Sequence, residues 1–181
     1  MKIVGTSLPG VLILEPTIYR DDRGAFWETW NQKRMTDAGL PSTWVQDNFS
    51  LSRKNVIRGI HYQVINPQGK LVRVTHGAAL DVAVDLRKSS PTFGKHVAVE
   101  LSGDNGRMLW IPVGFGHAFM ALSDVVGFAY KVTDDYSPAG ERTLLWNDPD
   151  VGIEWPIDPA YAIVSDKDRK GAPLATAEVF A

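Results

Sequence analysis

The segment from residue 46 to residue 73 holds the side chains best suited to chemistry in this chain. His61 lies in the run 58–63, and Lys70 follows it. An imidazole titrates near neutral pH and can take a proton from carbon, and a lysine can hold the charge that then develops on oxygen. Arg58 offers a fork of donors that suits a phosphate. These residue types indicate proton abstraction next to a carbonyl on an anionic substrate.

The composition is typical of a globular protein. Of the 181 residues, 44% are hydrophobic and 22% are charged, and the formal net charge is -2 at pH 7. A chain of this length can enclose one core, so we expect a single domain over residues 1–181. There is no global basic field, which argues against a nucleic acid polymer as partner. A local cluster of arginines could still bind a small anion.

Cysteine and histidine usage narrows the chemistry further. The chain has no cysteine, which excludes disulfide frameworks, zinc–thiolate sites and cysteine nucleophiles. The four histidines are His61, His76, His96 and His117, and no two lie at the spacing of a local chelating pair. We therefore expect no metal. We also expect a cytoplasmic protein without a membrane partner, because neither a signal peptide nor a membrane-spanning apolar run is present.

Short runs with period-two alternation dominate the chain and predict β-strands. Apolar residues alternate with polar or small ones in 80–86 and 97–101, and Gly, Pro, Asn and Asp separate the runs. Further strands are predicted at 11–14, 26–30, 56–57, 71–74, 108–111 and 127–132.

Helix signals are few. One helix is predicted over 32–38, with Asn31 as N-cap and Gly39 closing its end. A second short helix or turn is predicted within 166–171, and the alanine-rich tail 172–181 has no clear structural signal. Many evenly spaced strands with so little helix predict an all-β fold. Periodicity alone leaves sandwich, jelly roll and barrel open.

Several motifs follow one another in a characteristic order. They occupy residues 22–28, 46–50, 55–63, 69–73, 81–87, 90–94, 110–112, 114–119, 130–131, 146–149 and 153–156. Together they resemble the motifs of the dTDP-4-dehydrorhamnose 3,5-epimerase family over nearly the whole chain. The resemblance implies a cupin-type jelly roll, that is, a double-sheet β-barrel with a few short helices. It also implies an isomerase of dTDP-rhamnose biosynthesis that uses no metal or organic cofactor. Such an enzyme inverts C3 and C5 of dTDP-4-dehydro-6-deoxy-D-glucose to give dTDP-4-dehydro-L-rhamnose.

The resemblance assigns the catalytic roles. His61 would be the base, and a carboxylate near the C-terminus would fix its tautomer and stabilise the imidazolium. Asp168 matches that carboxylate, with Asp166 as the rival candidate. Lys70 would face the C4 oxygen, and Tyr130 would be the acid that returns a proton to the opposite face.

The resemblance also implies a set of substrate-binding residues with polar or aromatic side chains. They are Tyr19, Arg23, Glu28, Gln46, Asn48, Arg58, Lys70, Asp81 and His117. Within this set, Tyr19 would stack near the nucleotide, and His117 would line the site as a hydrogen-bonding residue. The family also implies a homodimer with exchanged N-terminal strands, so that some of these residues would come from the neighbouring subunit.

Three alternatives stay open. A related enzyme could invert only C3 or only C5 of a dTDP-4-keto-6-deoxy sugar, because such relatives share the base, its partner and the lysine. A jelly roll could also bind a sugar nucleotide without turning it over. The set of His61, Lys70, Tyr130 and Asp168 argues against that, since a binding protein needs neither base nor acid. The histidine spacing argues against a metal-dependent dioxygenase.

Overall fold

Strands are the main regular elements of the computed structural model, which describes residues Met1–Ala181. We number the strands β1 to β14 in chain order. The first sheet contains β1 (Lys2–Gly5), β2 (Leu12–Glu15), β5 (Gln46–Arg53), β7 (Lys70–His76), β10 (Met108–Ile111) and β12 (Val125–Val132). Its strand order is β1-β2-β10-β7-β12-β5, and all neighbours are antiparallel.

The second sheet also has six strands. They are β6 (Val56–Gln63), β8 (Ala78–Asp85), β9 (His96–Ser102), β11 (Phe115–Ala121), β13 (Glu141–Thr143) and β14 (Ile163–Val164). The order is β13-β6-β11-β8-β9, and β14 adds to β6 in parallel. Strand β6 therefore has β11 along one edge and both β13 and β14 along the other.

Few residues lie in other regular elements. A separate hairpin consists of β3 (Tyr19–Asp21) and β4 (Gly24–Phe26), and all its strand residues are exposed. Helix α1 (Gln32–Asp37) begins after Asn31, whose side chain accepts from the Arg34 amide. Helix α2 (Asp166–Arg169) is a single turn, and a 3-10 turn covers Pro159–Tyr161. The predicted strand at 26–30 is wrong beyond Phe26, because residues 27–30 form no strand.

The main core lies between the two sheets. It buries Val72, Leu109 and Phe128 of the first sheet against Ala83 and Phe119 of the second. The rings of Phe119 and Phe128 stack with their centroids 4.1 Å apart. The prediction of an all-β, double-sheet fold is confirmed.

A second core covers the outer face of the second sheet. Val82, Val84 and Leu86 pack there against the C-terminal part of the chain, including Ala177 and Phe180. The tail is thus part of the fold, and the backbone amide of Phe180 donates to the carbonyl of Leu86 at 3.0 Å. Because successive strand residues face opposite sides, Asp81 and Ala83 point into the space between the sheets.

The outer face of the first sheet is covered by the segment around α1. Met35, the buried residue of that helix, packs against Leu14, Leu71 and Met108. Trp30 is partly buried against the same cluster. The residues after the hairpin therefore act as a cover over the sheet rather than as another strand.

Candidate active site

A cavity of about 410 Å³ opens between the two sheets. Strand β6 contributes one wall, and β5, β7 and β12 contribute the facing wall. Its lining residues are mostly polar: Gln46, Asn48, His61, Tyr62, Gln63, Gln68, Lys70, Tyr130, Tyr136 and Glu141. The cavity brings together three of the four predicted catalytic side chains, and Asp168 contacts one of them from behind.

His61 and Asp168 form a hydrogen-bonded pair at one wall of this cavity. Their Nε2 and Oδ1 atoms are 2.5 Å apart. Strand β14 pairs with β6 just before α2 begins, which brings the short helix beside the strand that carries His61. Asp168 is the buried residue of α2, whereas Asp166 is exposed. The geometry thus joins His61 to Asp168 and not to the rival carboxylate.

The Asp168 carboxyl is held in its ionised form. Its burial acts to raise the pKa, but the hydrogen bond with His61 and the backbone N–H of Gly59 lower it below the usual range of an aspartate. The Gly59 amide donates to Oδ2 at 3.4 Å. An ionised carboxylate at this place can fix the imidazole tautomer and stabilise an imidazolium.

Lys70 lies on the facing wall, at the first position of β7. Its Nζ donates to the backbone carbonyl of His61 at 3.4 Å. Burial lowers the pKa of Lys70 to about 8, although the negative charges of Asp81 and Glu141 act in the opposite direction. The ammonium is therefore charged near neutral pH, and its hydrogen bond is to the His61 carbonyl.

Tyr130 lies on β12 and is half-buried. Burial raises the pKa of its phenol, and Glu141 adds to that effect while Arg58 opposes it. The phenol therefore keeps its proton at neutral pH. Because His61 belongs to one sheet and Tyr130 to the other, the two groups reach the cavity from opposite walls.

A second histidine–carboxylate pair lies between the sheets, next to His61. His117 is the cross-strand neighbour of His61, and its Nε2 is 2.9 Å from Oδ2 of Asp81. Burial lowers the pKa of His117, against the raising effect of Asp81. Oδ1 of Asp81 is buried and has no hydrogen-bond partner. Neither residue lines the cavity itself, so their predicted substrate contacts stay predictions.

Comparison with known proteins identifies the family of this chain. Residues 5–176 match the family model of dTDP-4-dehydrorhamnose 3,5-epimerase. The chain belongs to this epimerase family. It is 48% identical to the dTDP-4-dehydrorhamnose 3,5-epimerase of Pseudomonas aeruginosa, over 99% of both chains. It is 53% identical to that of Salmonella typhimurium, over 96% of this chain and 95% of the relative.

A solved structure of an epimerase extends the likeness to the whole fold. The dTDP-6-deoxy-D-glucose-3,5-epimerase of Legionella pneumophila, in complex with dTDP-4-keto-L-rhamnose, superposes with a TM-score of 0.94. The two chains share 46% identity, over 98% of this chain and 94% of the relative. The predicted cupin-type jelly roll is thereby confirmed, and the chain is an isomerase of the epimerase family.

Two predicted binding residues of the epimerase, Gln46 and Asn48, line the cavity from the edge strand β5. The amide of Gln46 donates to Oδ1 of Asn48 at 2.7 Å. Arg58 is exposed, and its guanidinium donates to Ser52 Oγ at 3.0 Å and to the carbonyl of Leu51. It does not line the cavity, although its charge acts on Tyr130.

Three other predicted binding residues lie elsewhere in the single chain. Tyr19 and Arg23 line a separate cavity of about 480 Å³ at the hairpin, where Arg23 pairs with Asp21 at 2.6 Å. Glu28 contacts Arg34 at 3.2 Å, beside α1. None of the three lines the cavity of His61.

Sequence reasoning missed several residues that shape the cavity. Gln63 is buried, and its amide donates to the carbonyls of Asn66 at 2.6 Å and Asp135 at 3.1 Å. Its place in the motif 55–63 was a usable signal. Tyr136 and Glu141 flank the turn at residues 137–140, and nothing in their spacing indicates a site.

Histidine, aspartate and glutamate side chains nowhere gather in a group of three or more that could hold a metal ion. None of the helices has the length and apolar character needed to cross a membrane.

Proposed function

We propose that this epimerase inverts C3 and C5 of dTDP-4-dehydro-6-deoxy-D-glucose and releases dTDP-4-dehydro-L-rhamnose. Both carbons flank the C4 ketone, so each proton can leave with the formation of an enolate. Family membership supports this reaction, as does the dTDP-4-keto-L-rhamnose bound by the Legionella relative. The observation that carries the proposal is the Asp168-held imidazole of His61, facing the same cavity as Lys70 and Tyr130.

His61 acts as the general base in this scheme. Its Nε2 is hydrogen-bonded to Asp168, so Nδ1 is the nitrogen left to face substrate. Asp168 accepts the N–H at Nε2, which leaves a lone pair on Nδ1. The ionised carboxylate then stabilises the imidazolium that forms when the substrate proton is taken.

Lys70 stabilises the enolate in this scheme. Its ammonium lies beside the His61 backbone, so a ketone oxygen near Nζ places the adjacent carbon near the imidazole. Groups of this kind act on the charge that develops in the transition state, and the loss of one typically costs about a hundred- to a thousandfold in rate.

Tyr130 supplies the proton on the other face. Inversion requires that the proton arrive from the side opposite to its removal. The phenol has a raised pKa and lies on the opposite wall from His61. A neutral phenol can donate to the enolate carbon. After His61 has released its proton to solvent and Tyr130 has regained one, the next proton abstraction can occur at the second carbon next to the ketone.

A homodimer with exchanged N-terminal strands is part of the proposal. Tyr19 and Phe26 of the hairpin are 65% and 72% exposed, which is unusual for large hydrophobic side chains. Phe49 and Leu51 of the edge strand β5 are exposed as well. A partner's hairpin laid near β5 would cover these side chains and would bring Tyr19 and Arg23 to the neighbour's cavity.

A cytoplasmic location belongs to the same proposal. The substrate is a nucleotide diphosphate sugar with negative charges, and such a molecule does not cross a bilayer unaided. We therefore place the enzyme in the compartment where the nucleotide sugar is made.

Single epimerisation is the second candidate. A 3'-monoepimerase of Streptomyces bikiniensis, in complex with dTDP-quinovose, is 36% identical and superposes with a TM-score of 0.89. The position of deuterium in the product distinguishes single from double epimerisation. The purified protein should convert dTDP-4-keto-6-deoxy-D-glucose in deuterated water to a sugar with deuterium at both C3 and C5, as seen by proton NMR. Deuterium at one carbon alone would assign a mono-epimerase.

A further inference from the structure

The Asp168 carboxylate depends on a very short helix for its place. Helix α2 has four residues, far fewer than the dozen or so that a helix needs to be stable on its own. Ser165 caps it by accepting the Asp168 amide at 3.1 Å. Contacts to the rest of the fold must therefore fix the direction in which Asp168 points.

One ion pair besides Asp168–His61 joins the side chains of α2 to the sheet. Lys167 Nζ is 2.5 Å from Oε1 of Glu141, which begins β13. Strand β13 pairs with β6 so that Glu141 lies opposite Gln63 and Thr143 lies opposite His61. The ion pair therefore connects α2, which carries Asp168, to β13. Strand β13 in turn pairs with β6, which carries His61.

The Glu141 carboxylate is fully engaged. Its other oxygen, Oε2, accepts the hydroxyl of Tyr136 at 2.9 Å. Burial acts to raise the pKa of Glu141, but the hydrogen bonds from Lys167 and Tyr136 lower it below the usual range. The carboxylate is thus ionised and has a donor on each oxygen, as a fixed anchor needs.

We propose that Glu141 and Lys167 are positioning residues that hold α2 so that Asp168 stays hydrogen-bonded to His61. The inference rests on the proposed role of His61 as the base. The side chain of Lys167 is 47% exposed, and a pair of this kind adds little to global stability. Its effect is on the geometry of the catalytic pair, where a displacement of about 1 Å can cost on the order of a hundredfold in rate.

The test compares Lys167→Met and Glu141→Gln with Glu178→Gln. The last change is the control. It removes the ion pair between Glu178 and Arg142 of β13, 2.7 Å apart, which does not involve α2. For the first two variants we expect kcat to fall about ten- to a hundredfold, with KM within about twofold. The double variant should lose little more than either single one, because both remove the same contact. The exchanged pair Glu141→Lys with Lys167→Glu should recover part of the rate.

A spectroscopic signal provides the second readout. The imidazole N–H proton shared with Asp168 should appear far downfield in the wild-type proton NMR spectrum. We expect it to be lost or broadened in Lys167→Met and to be retained in Glu178→Gln. Unchanged kcat together with an unchanged signal in Lys167→Met would overturn the proposal.

Two other results would also overturn it. One is a raised KM with unchanged kcat in Glu141→Gln and no effect in Lys167→Met, which would make Glu141 a direct substrate contact. The other is an equal loss in Glu178→Gln, which would indicate general loosening of β13. If the wild-type protein failed to turn over the substrate, the proposed function would fail. The imidazole signal alone would then show whether the Glu141–Lys167 pair holds Asp168 against His61.

Discussion

Asp168 reaches His61 from a one-turn helix more than a hundred residues further along the chain, with 2.5 Å between Oδ1 and Nε2. The contact is possible because β14 adds to the free edge of β6 next to β13 and delivers α2 to the back of the imidazole. The proposed catalytic pair is thus completed by the C-terminal segment, which also covers the second sheet.

Replacing Asp168 by Asn should leave the fold intact and impair catalysis severely. The amide cannot stabilise an imidazolium, and it can hold the wrong tautomer. We expect kcat to fall by about a thousandfold or more, as estimated from the loss of the equivalent carboxylate in other acid–base pairs.

Asp166→Asn is the matched control, because Asp166 is exposed two positions away on the same helix. Its kcat should stay within about twofold of the wild type. Steady-state kinetics at saturating substrate measures kcat of both Asp168→Asn and Asp166→Asn. Equal losses in the two variants would contradict the assignment of Asp168.

The pH profile should show the low pKa of Lys70. An ordinary lysine titrates near 10.5, and burial lowers the pKa of Lys70 to about 8. Below that value the ammonium is charged and can stabilise the enolate, and above it the charge is lost. We expect kcat/KM to fall about tenfold per pH unit above pH 8.

Lys70→Arg tests the origin of that alkaline fall. A guanidinium keeps its charge at all the pH values concerned. The variant should be slower at neutral pH because its geometry differs, but its profile should lose the fall near pH 8. The same fall in Lys70→Arg would assign the alkaline limb to another group.

The core between the sheets should dominate the free energy of unfolding. Phe128 is fully buried and stacks on Phe119 across the two sheets. Phe128→Ala should lower the free energy of unfolding by about 3–5 kcal/mol. Tyr161→Ala, at an exposed position, should change it by less than about 0.5 kcal/mol. Urea unfolding followed by tryptophan fluorescence measures both, and similar midpoints would contradict the description of the core.

A mixing experiment tests whether the hairpin serves the neighbouring subunit. His61→Asn and Arg23→Ala should each be inactive or nearly so as homodimers. When they are co-expressed, one site of each mixed dimer combines an intact His61 with an intact Arg23 of the other chain. We expect roughly a quarter of the wild-type activity to return, given the two-fold symmetry of a dimer. No recovery in mixed dimers would place Arg23 at the cavity of its own chain or outside the site.

The sequence predicted most of the strands because their alternation is local. Strand β10 matches the prediction at 108–111, and α1 begins after Asn31 as the N-cap predicts. Strand β11 gave no alternating signal, because all seven of its residues are buried. Both of its faces pack against other parts of the chain, so neither side needs polar residues.

The site was predictable only where a motif carried it. His61 and Lys70 lie in runs that indicate chemistry, but their distance from Asp168 depends on the tertiary pairing of β14 with β6. Strand β8 shows a second limit. Its apolar residues Val82 and Val84 face the C-terminal core, so the polar Asp81 is the residue that points between the sheets. Alternation gives two faces but does not say which one the active site occupies.

The central claim is that His61 and Tyr130 act from opposite walls of one cavity. The most direct test follows deuterium uptake and inversion separately, by proton NMR of the dTDP-4-keto-6-deoxy sugar in deuterated water. His61→Asn should abolish both uptake and inversion. Tyr130→Phe should still exchange the substrate proton, because His61 can remove and return it on the same face, but should invert the carbon far more slowly. Inversion at the wild-type rate in Tyr130→Phe, or continued exchange in His61→Asn, would contradict this account.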